Sequence, residues 1–286
     1  MVHFELLVQG LVQGTIYALV AVGLTLVYGL LRILHIAHAG LFSLGGYIAL
    51  LLANQTGSFA FGLACSVLLV GLAGMAIYRL AYQPILDKPP YVALIVSIGL
   101  YIIMEEVFRL VFGPSTISFI NPPLQGIVEF YGIRLREVEI ATMAVAILFI
   151  GGVGILSTKT RIGVAWRATV DDPEMARSFG VRLYSVRYFN FFMASVMAAT
   201  AGAMVAVSNN MVEPTMGGVP AYKALAIIVM GGLGDVRGTL FAALALGIIE
   251  SFGTIYLGSI LDRDAIAFAF LIIVLMFRPQ GLLVRN

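Results

Sequence analysis

The sequence predicts an all-α polytopic membrane protein. Hydrophobic residues make up 60% of its 286 residues, charged residues only 11%, and the mean hydropathy is +1.01. A soluble domain carries about a quarter charged residues, and several runs here reach the roughly 20 apolar residues that a membrane-crossing helix needs. The net charge of +2 is spread over separate loops, which argues against a nucleic-acid partner. Cys65 is the only cysteine and sits in an apolar run, so neither an internal disulfide nor a thiolate metal site is expected.

Long apolar segments lie near 6–31, 60–82, 91–113, 140–157, 188–208, 239–258 and 264–278, with shorter ones near 40–53 and 221–234. A helix as short as these last two reaches only about 20 Å, against a hydrocarbon thickness of roughly 30 Å. Each is expected to be a half-helix, or a span completed by irregular backbone buried in protein or lining a wet cavity. The expectation is a single domain over 1–286, with about eight transmembrane helices plus short broken or re-entrant ones. "MVHFELL" lacks the basic start of a cleavable signal, so the first helix is expected to be retained.

Loop charges predict orientation. Lys159, Arg161, Arg167, Arg177, Arg182 and Arg187 crowd one loop, Arg79 and Lys88 flank another, and Arg278 and Arg285 lie near the end. The positive-inside rule places all three regions in the cytoplasm. The 53–58 and 114–139 loops are then external. With 40–53 as a half-helix, the N-terminus is expected on the inner side.

The 158–187 loop contains "DDPEMARSFG", which carries helix start and stop signals. Asp171 or Asp172 can cap the start, and Pro173 suits the first turn. With Asp171 as cap, Glu174 can complete a capping box; Gly180 fits the left-handed position after the last turn. A helix this short is marginal in water. Met175 and Phe179, four residues apart on one face, need either this protein's own inner face or a partner to cover them.

"EMARSFG" (174–180) resembles the E-A-A-x-x-x-G pattern that ABC importer permeases present to their ATPases, with Met175 in place of the first alanine. The surrounding "RIGVAWRATVDDPEMARSFGV" (161–181) is similar to the same loop of the branched-chain amino acid permease family. So are "GLTLVYGLLRILHIAHAGLFSLGGYIA" (23–49), "IVMGGLGDVRGTLFAALALGIIE" (228–250) and "FRPQGLLV" (277–284). The resemblance implies a coupling helix that carries Asp172, Glu174, Ala176, Arg177 and Gly180 into a cleft on an ATP-binding subunit. It also implies two such ATPases, a second permease (identical or different), and a periplasmic or lipid-anchored substrate-binding protein. The membrane would be bacterial or archaeal, and the substrate an amino acid.

A pair of Gly/Pro-interrupted short segments, one in each half, points to a translocation pathway by analogy with secondary transporters. Arg32, His35, His38, Gly40, Gly45 and Gly46 mark the first, and Pro214, Gly217, Gly218, Pro220, Gly231, Gly232 and Gly234 the second. His35, His38, Gly45, Gly217, Gly218 and Gly231 are therefore pathway candidates, with Glu250, a carboxylate inside an apolar span. The histidines can equally hydrogen-bond backbone opened by the helix break, and Glu250 can pair with a polar neighbour. Glu105 and Glu106 have the spacing to pair with Arg109, Asp235 and Arg237 mark a polar turn, and Trp166 and Tyr184 read as interface anchors.

No metal site or cofactor is expected, since the histidine pair has no third ligand nearby. The chain has no G-x-x-x-x-G-K-[ST] phosphate loop, so ATP hydrolysis is expected on separate subunits. The alternatives are an ion-coupled secondary transporter using Glu250 or a histidine, and an ABC permease for urea, short amides or aromatic acids. An intramembrane enzyme has little support: there is no H-E-x-x-H or G-x-S-x-G motif, and only three histidines are present.

Overall fold

α1 (Val2–Leu31) runs through the middle of the molecule, and most of its length is sealed from solvent by the other helices. The computed structural model describes residues 2–130, 133–258 and 260–278. Around α1 stand α2 (His38–Thr56), α3 (Phe59–Ile77), α4 (Pro90–Phe112), α5 (Glu137–Lys159), α8 (Leu183–Asn209), α9 (Gly218–Gly231), α10 (Val236–Leu257) and α11 (Arg263–Phe277). α6 (Arg161–Asp171) and α7 (Pro173–Ser178) join α5 to α8. Among the described residues, six helical segments are long and apolar enough to cross a membrane by length and composition. The fold is all-α and polytopic, as expected.

Small residues decide which helices meet. A Cβ added at Gly10 would lie 2.7 Å from Ile248 Cα, and one at Gly247 2.6 Å from Gly14 Cα, so α1 and α10 touch backbone to backbone. The Gly10-x-x-x-Gly14 spacing is the small-residue seam used where hydrocarbon supplies no hydrophobic drive between helices. α2 and α8 interlock in the same way, with Gly45 on Ala199 and Gly202 on the Phe42 carbonyl.

Two expectations about the first half are overturned. Segment 40–53 is not a half-helix: α2 is continuous over 19 residues, about 28 Å long. Its apolar run reads short because polar residues bound it, His38 at one end and Asn54, Gln55 and Thr56 at the other, yet these belong to the helix and His38 is buried against other helices. The N-terminus is also placed differently. The His3 ring stacks on Phe252 and Tyr256 near the end of α10, whereas Thr25 and Gly29, toward the other end of α1, border a cavity with Arg167 and Asp171 of α6. The N-terminus thus sits at the end of the bundle opposite α6 and α7. α9, with 14 residues, remains short.

Other features were not legible as elements. The 114–139 loop forms strands: β1 (Ile117–Ser118) pairs antiparallel with β4 (Met211–Val212), which follows α8, and β2 (Ile127–Phe130) pairs with β3 (Ile133–Arg136). α3 ends in a π-turn over Tyr78–Tyr82 and a 3₁₀ turn over Gln83–Ile85. Arg285 and most of "FRPQGLLV" lie outside the described residues.

The α1–α10 contact gives a direct test. Gly247→Val is expected to lower the thermal unfolding midpoint in detergent, by an overpacking cost of about 1–3 kcal/mol. Gly152→Val, where a Cβ meets nothing within 4 Å, is expected to leave it unchanged.

Candidate functional site

The 158–187 segment holds two whole helices, α6 and α7, between the end of α5 and the start of α8, rather than one in a loop. Thr160 caps α6 by accepting the Gly163 N–H at 3.1 Å. α6 packs Gly163 and Thr169 inward, with Trp166 half-buried against the core; Trp166 is therefore a packing residue, while Tyr184 is exposed. Asp171 ends α6, so the cap of α7 is Asp172, whose carboxylate accepts the N–H groups of Glu174 (3.0 Å) and Met175 (2.9 Å). This leaves Glu174 one position too early for the capping box that Asp171 as cap would have allowed. At the other end Gly180 has φ +85°, its N–H reaches the Arg177 carbonyl at 2.9 Å, and the Val181 N–H reaches Ala176 at 3.0 Å. That is a Schellman close.

Only one side chain of α7 points inward: Ala176 is buried, whereas Met175 is 55% and Phe179 82% exposed. The apolar face that needed cover is not folded onto this chain's own surface. Asp172, Glu174 and Arg177 border a groove that continues to Arg182 and Arg187.

The first interrupted region is closed. His35 and His38 are both buried, their ring centroids 5.8 Å apart. Tyr82 donates to Ser97 Oγ at 2.8 Å, and Ser97 Oγ also accepts the Ala37 N–H at 3.0 Å. The 2.7 Å contact between His35 Nδ1 and the Tyr82 oxygen then requires the proton on Nδ1. His38 Nε2 donates to the Val20 carbonyl at 3.2 Å, so the two rings hold opposite tautomers. Both serve backbone and neighbours around the break after α1. In the second region the Gly217 N–H donates to Ser43 Oγ at 3.0 Å, pinning the start of α9 to α2. Gly45, Gly217 and Gly231 are buried at backbone contacts, and Gly218 is half-buried beside Tyr101.

Glu250 is 0% exposed and holds a cluster that joins α1, α9, α10 and α11. Its carboxylate accepts from Tyr17 OH (2.6 Å), Lys223 Nζ (2.9 Å) and Arg263 Nε (2.8 Å). Lys223 also pairs with Asp264 at 2.9 Å, and Asp264 accepts from Tyr222 OH at 2.6 Å. Two cations and two carboxylates thus cancel. Lys223, Arg263 and Asp264 escaped notice in the sequence; the available signal was a lysine inside the short apolar segment 221–234, one cation for one buried acid. Arg109 pairs with Glu105 and Glu106 as its spacing predicted, and Asp235 caps α10. Among the described residues no group of three or more metal-ligating side chains occurs.

A sequence model of the family described as branched-chain amino acid transport system / permease component matches residues 6–277. The chain belongs to this family. The high-affinity branched-chain amino acid transport system permease protein BraD of Pseudomonas aeruginosa is 28% identical over 99% of this chain and 96% of its own length. The corresponding protein LivH of Escherichia coli is also 28% identical, over 97% of this chain and 94% of its own. LivM of the same organism matches at 24%, over 94% of this chain and 68% of its own length. Two different permease proteins of one organism therefore resemble this one.

In this permease the ion cluster lies among apolar helices, so losing one partner leaves an uncompensated charge. Lys223→Met is expected to destabilise the protein by about 3–5 kcal/mol, read as a lower unfolding midpoint in detergent. Lys223→Met combined with Glu250→Leu is expected to recover part of that loss, and a double-mutant cycle measures the coupling.

Proposed function

We propose that this chain is the transmembrane subunit of an ATP-binding-cassette importer, and that it moves branched-chain or other hydrophobic amino acids by alternating access. It is not itself an ATPase. Two ATP-binding subunits, a second permease and an external binding protein complete the system. α6 and α7 face the cytoplasm of a bacterial or archaeal cell, the N-terminus faces outward, and the whole chain is one permease domain.

The observation that carries this reading is α7. It is a six-residue helix closed by Asp172 at one end and Gly180 at the other, with Phe179 and Met175 turned outward. A helix of this length is stable only where its caps and its packing hold it, and this one spends its largest side chains on nothing in its own chain. In this role Asp172 and Gly180 fix its shape, Ala176 seats it, and Glu174 and Arg177 offer charge to the partner cleft. The absence of a phosphate-binding loop from the sequence agrees with energy delivered from outside. The ion-coupled alternative needs a side chain free to take up and release its ion. Glu250 is instead held by three donors from three other helices.

Gly180 provides the test. Valine cannot adopt φ +85° without strain, although a Cβ there meets no atom within 4 Å. Gly180→Val is expected to insert normally and assemble, retain ATP hydrolysis by the complex, and lose most leucine uptake in proteoliposomes. Unchanged uptake counts against the role of this helix.

A further inference from the structure

The end of the bundle opposite α7 contains a cavity of about 360 Å³ between α1, α5, α8, α10 and the start of α11. Small-molecule sites begin at about this size. Its lining is unusual for so apolar a chain. Gln9 and Gln13 lie one helical turn apart on α1 and face it together; neither side chain hydrogen-bonds to a described residue. Arg263 gives only its Nε to Glu250 and its side chain remains 45% exposed, so its terminal nitrogens have no acceptor among the described residues. Arg136 and Glu139 form the opposite wall. Arg136 gives its Nε to Glu139 and one N–H of each terminal nitrogen to Ser208, and the Glu139 carboxylate can accept more.

The cavity therefore offers one available guanidinium edge, one carboxylate already balanced by an arginine, and two free amides. Apolar surface completes it from Leu6, Val12, Ile16 and Ile255. A simple anion would meet Glu139, and a simple cation would meet Arg263. The chemistry that satisfies both walls is a small zwitterion with an apolar side chain.

We propose that this cavity is a reception site for an α-amino acid within the permease subunit. The carboxylate lies on Arg263, the ammonium lies toward Glu139, and the side chain rests on Leu6, Val12, Ile16 and Ile255. Gln9 and Gln13 complete the polar ring. This rests on the permease reading above, which places this end outside the cell. The site lies inside one subunit and uses none of the interrupted-segment residues. It stands next to the Glu250 cluster through Arg263, so its occupancy bears on the packing of α11 against α1.

The test uses the assembled transporter in phosphatidylglycerol nanodiscs without its binding protein, titrated with radiolabelled leucine. Saturable binding is expected. Leucinamide, which lacks the carboxylate, and isovalerate, which lacks the ammonium, are each expected to compete at least about tenfold more weakly, the loss of one charge-assisted hydrogen bond. Gln9→Leu with Gln13→Leu is expected to weaken leucine binding about tenfold at an unchanged unfolding midpoint. Arg263→Gln is expected to weaken it further. The proposal is overturned by no saturable binding, by equal competition from leucinamide, by binding indifferent to the glutamine variants, or by loss of binding when phosphatidylethanolamine replaces phosphatidylglycerol. That last result would assign the cavity to a lipid headgroup. ATP-driven leucine uptake by the same complex with its binding protein is measured alongside. Uptake without cavity binding removes this site alone, whereas absent uptake removes the permease reading.

Discussion

Glu250 has no exposed surface, and every donor that reaches its carboxylate comes from a different helix: Tyr17 from α1, Lys223 from α9 and Arg263 from α11. In hydrocarbon an uncompensated carboxylate is too costly to keep, so these helices cannot separate singly without exposing a charge. This constraint explains how α9 can be held in a bundle although 14 residues are too few to cross hydrocarbon. The lysine near its start is tied to α10 and α11, and the backbone just before it is tied to α2 through Ser43. A short helix anchored at one end by charge and at the other by the Gly231–Gly238 contact does not need lipid to define its depth.

Charge alone does not bring helices close enough for such short bonds. The approach is set by missing side chains. Gly10, Gly14 and Gly247 let α1 and α10 meet backbone to backbone, and this seam runs about one to two turns from Tyr17 and Glu250. Close backbone contact and the buried ion cluster depend on one another: the first sets the distance, and the second penalises any slide along it. The α2–α8 pair, where glycines do similar work around Ala199 and Phe42, has no charged cluster. It relies on packing, while the neutral hydrogen bonds of His38 and Ser43 tie α2 to α1 and to the start of α9.

Much of this was readable in the sequence because hydropathy and helix caps are local. The long spans, the capped helix after Asp172, the Glu105–Arg109 pairing and the interior setting of Glu250 follow from spacing. What escaped has a common cause. Hydropathy records whether a residue prefers oil or water, and α2 begins at His38, which faces neither because it meets protein. Its apolar run therefore understates its length. Glu250 demanded a partner, but its spacing to Lys223, 27 residues away, has no local signature. α6 was masked by the basic residues that made 158–187 read as loop, although Thr160 was its cap. Gly45, Gly217 and Gly231, named as pathway candidates from the interrupted segments, are points of close backbone packing in the folded chain.

The two ends of the molecule are linked by α8. α7 closes with a Schellman turn at Gly180, α8 begins three residues later at Leu183, and it then runs 27 residues through the core to Asn209. Along that path Asn190 donates to the Leu26 carbonyl of α1, and Gly202 rests on α2. Under the proposed function, a displacement of α7 cannot be absorbed in a slack connection, because no flexible stretch separates the exposed Phe179 from the buried helix. It must be carried by α8 together with α1 and α2 as one body. The part left to move against that body, to which α3 is also locked at Gly62 and Gly74, is the exposed periphery formed by α4 and α5. Motion of whole packed units about such boundaries, rather than deformation within them, is what a close-packed interior permits.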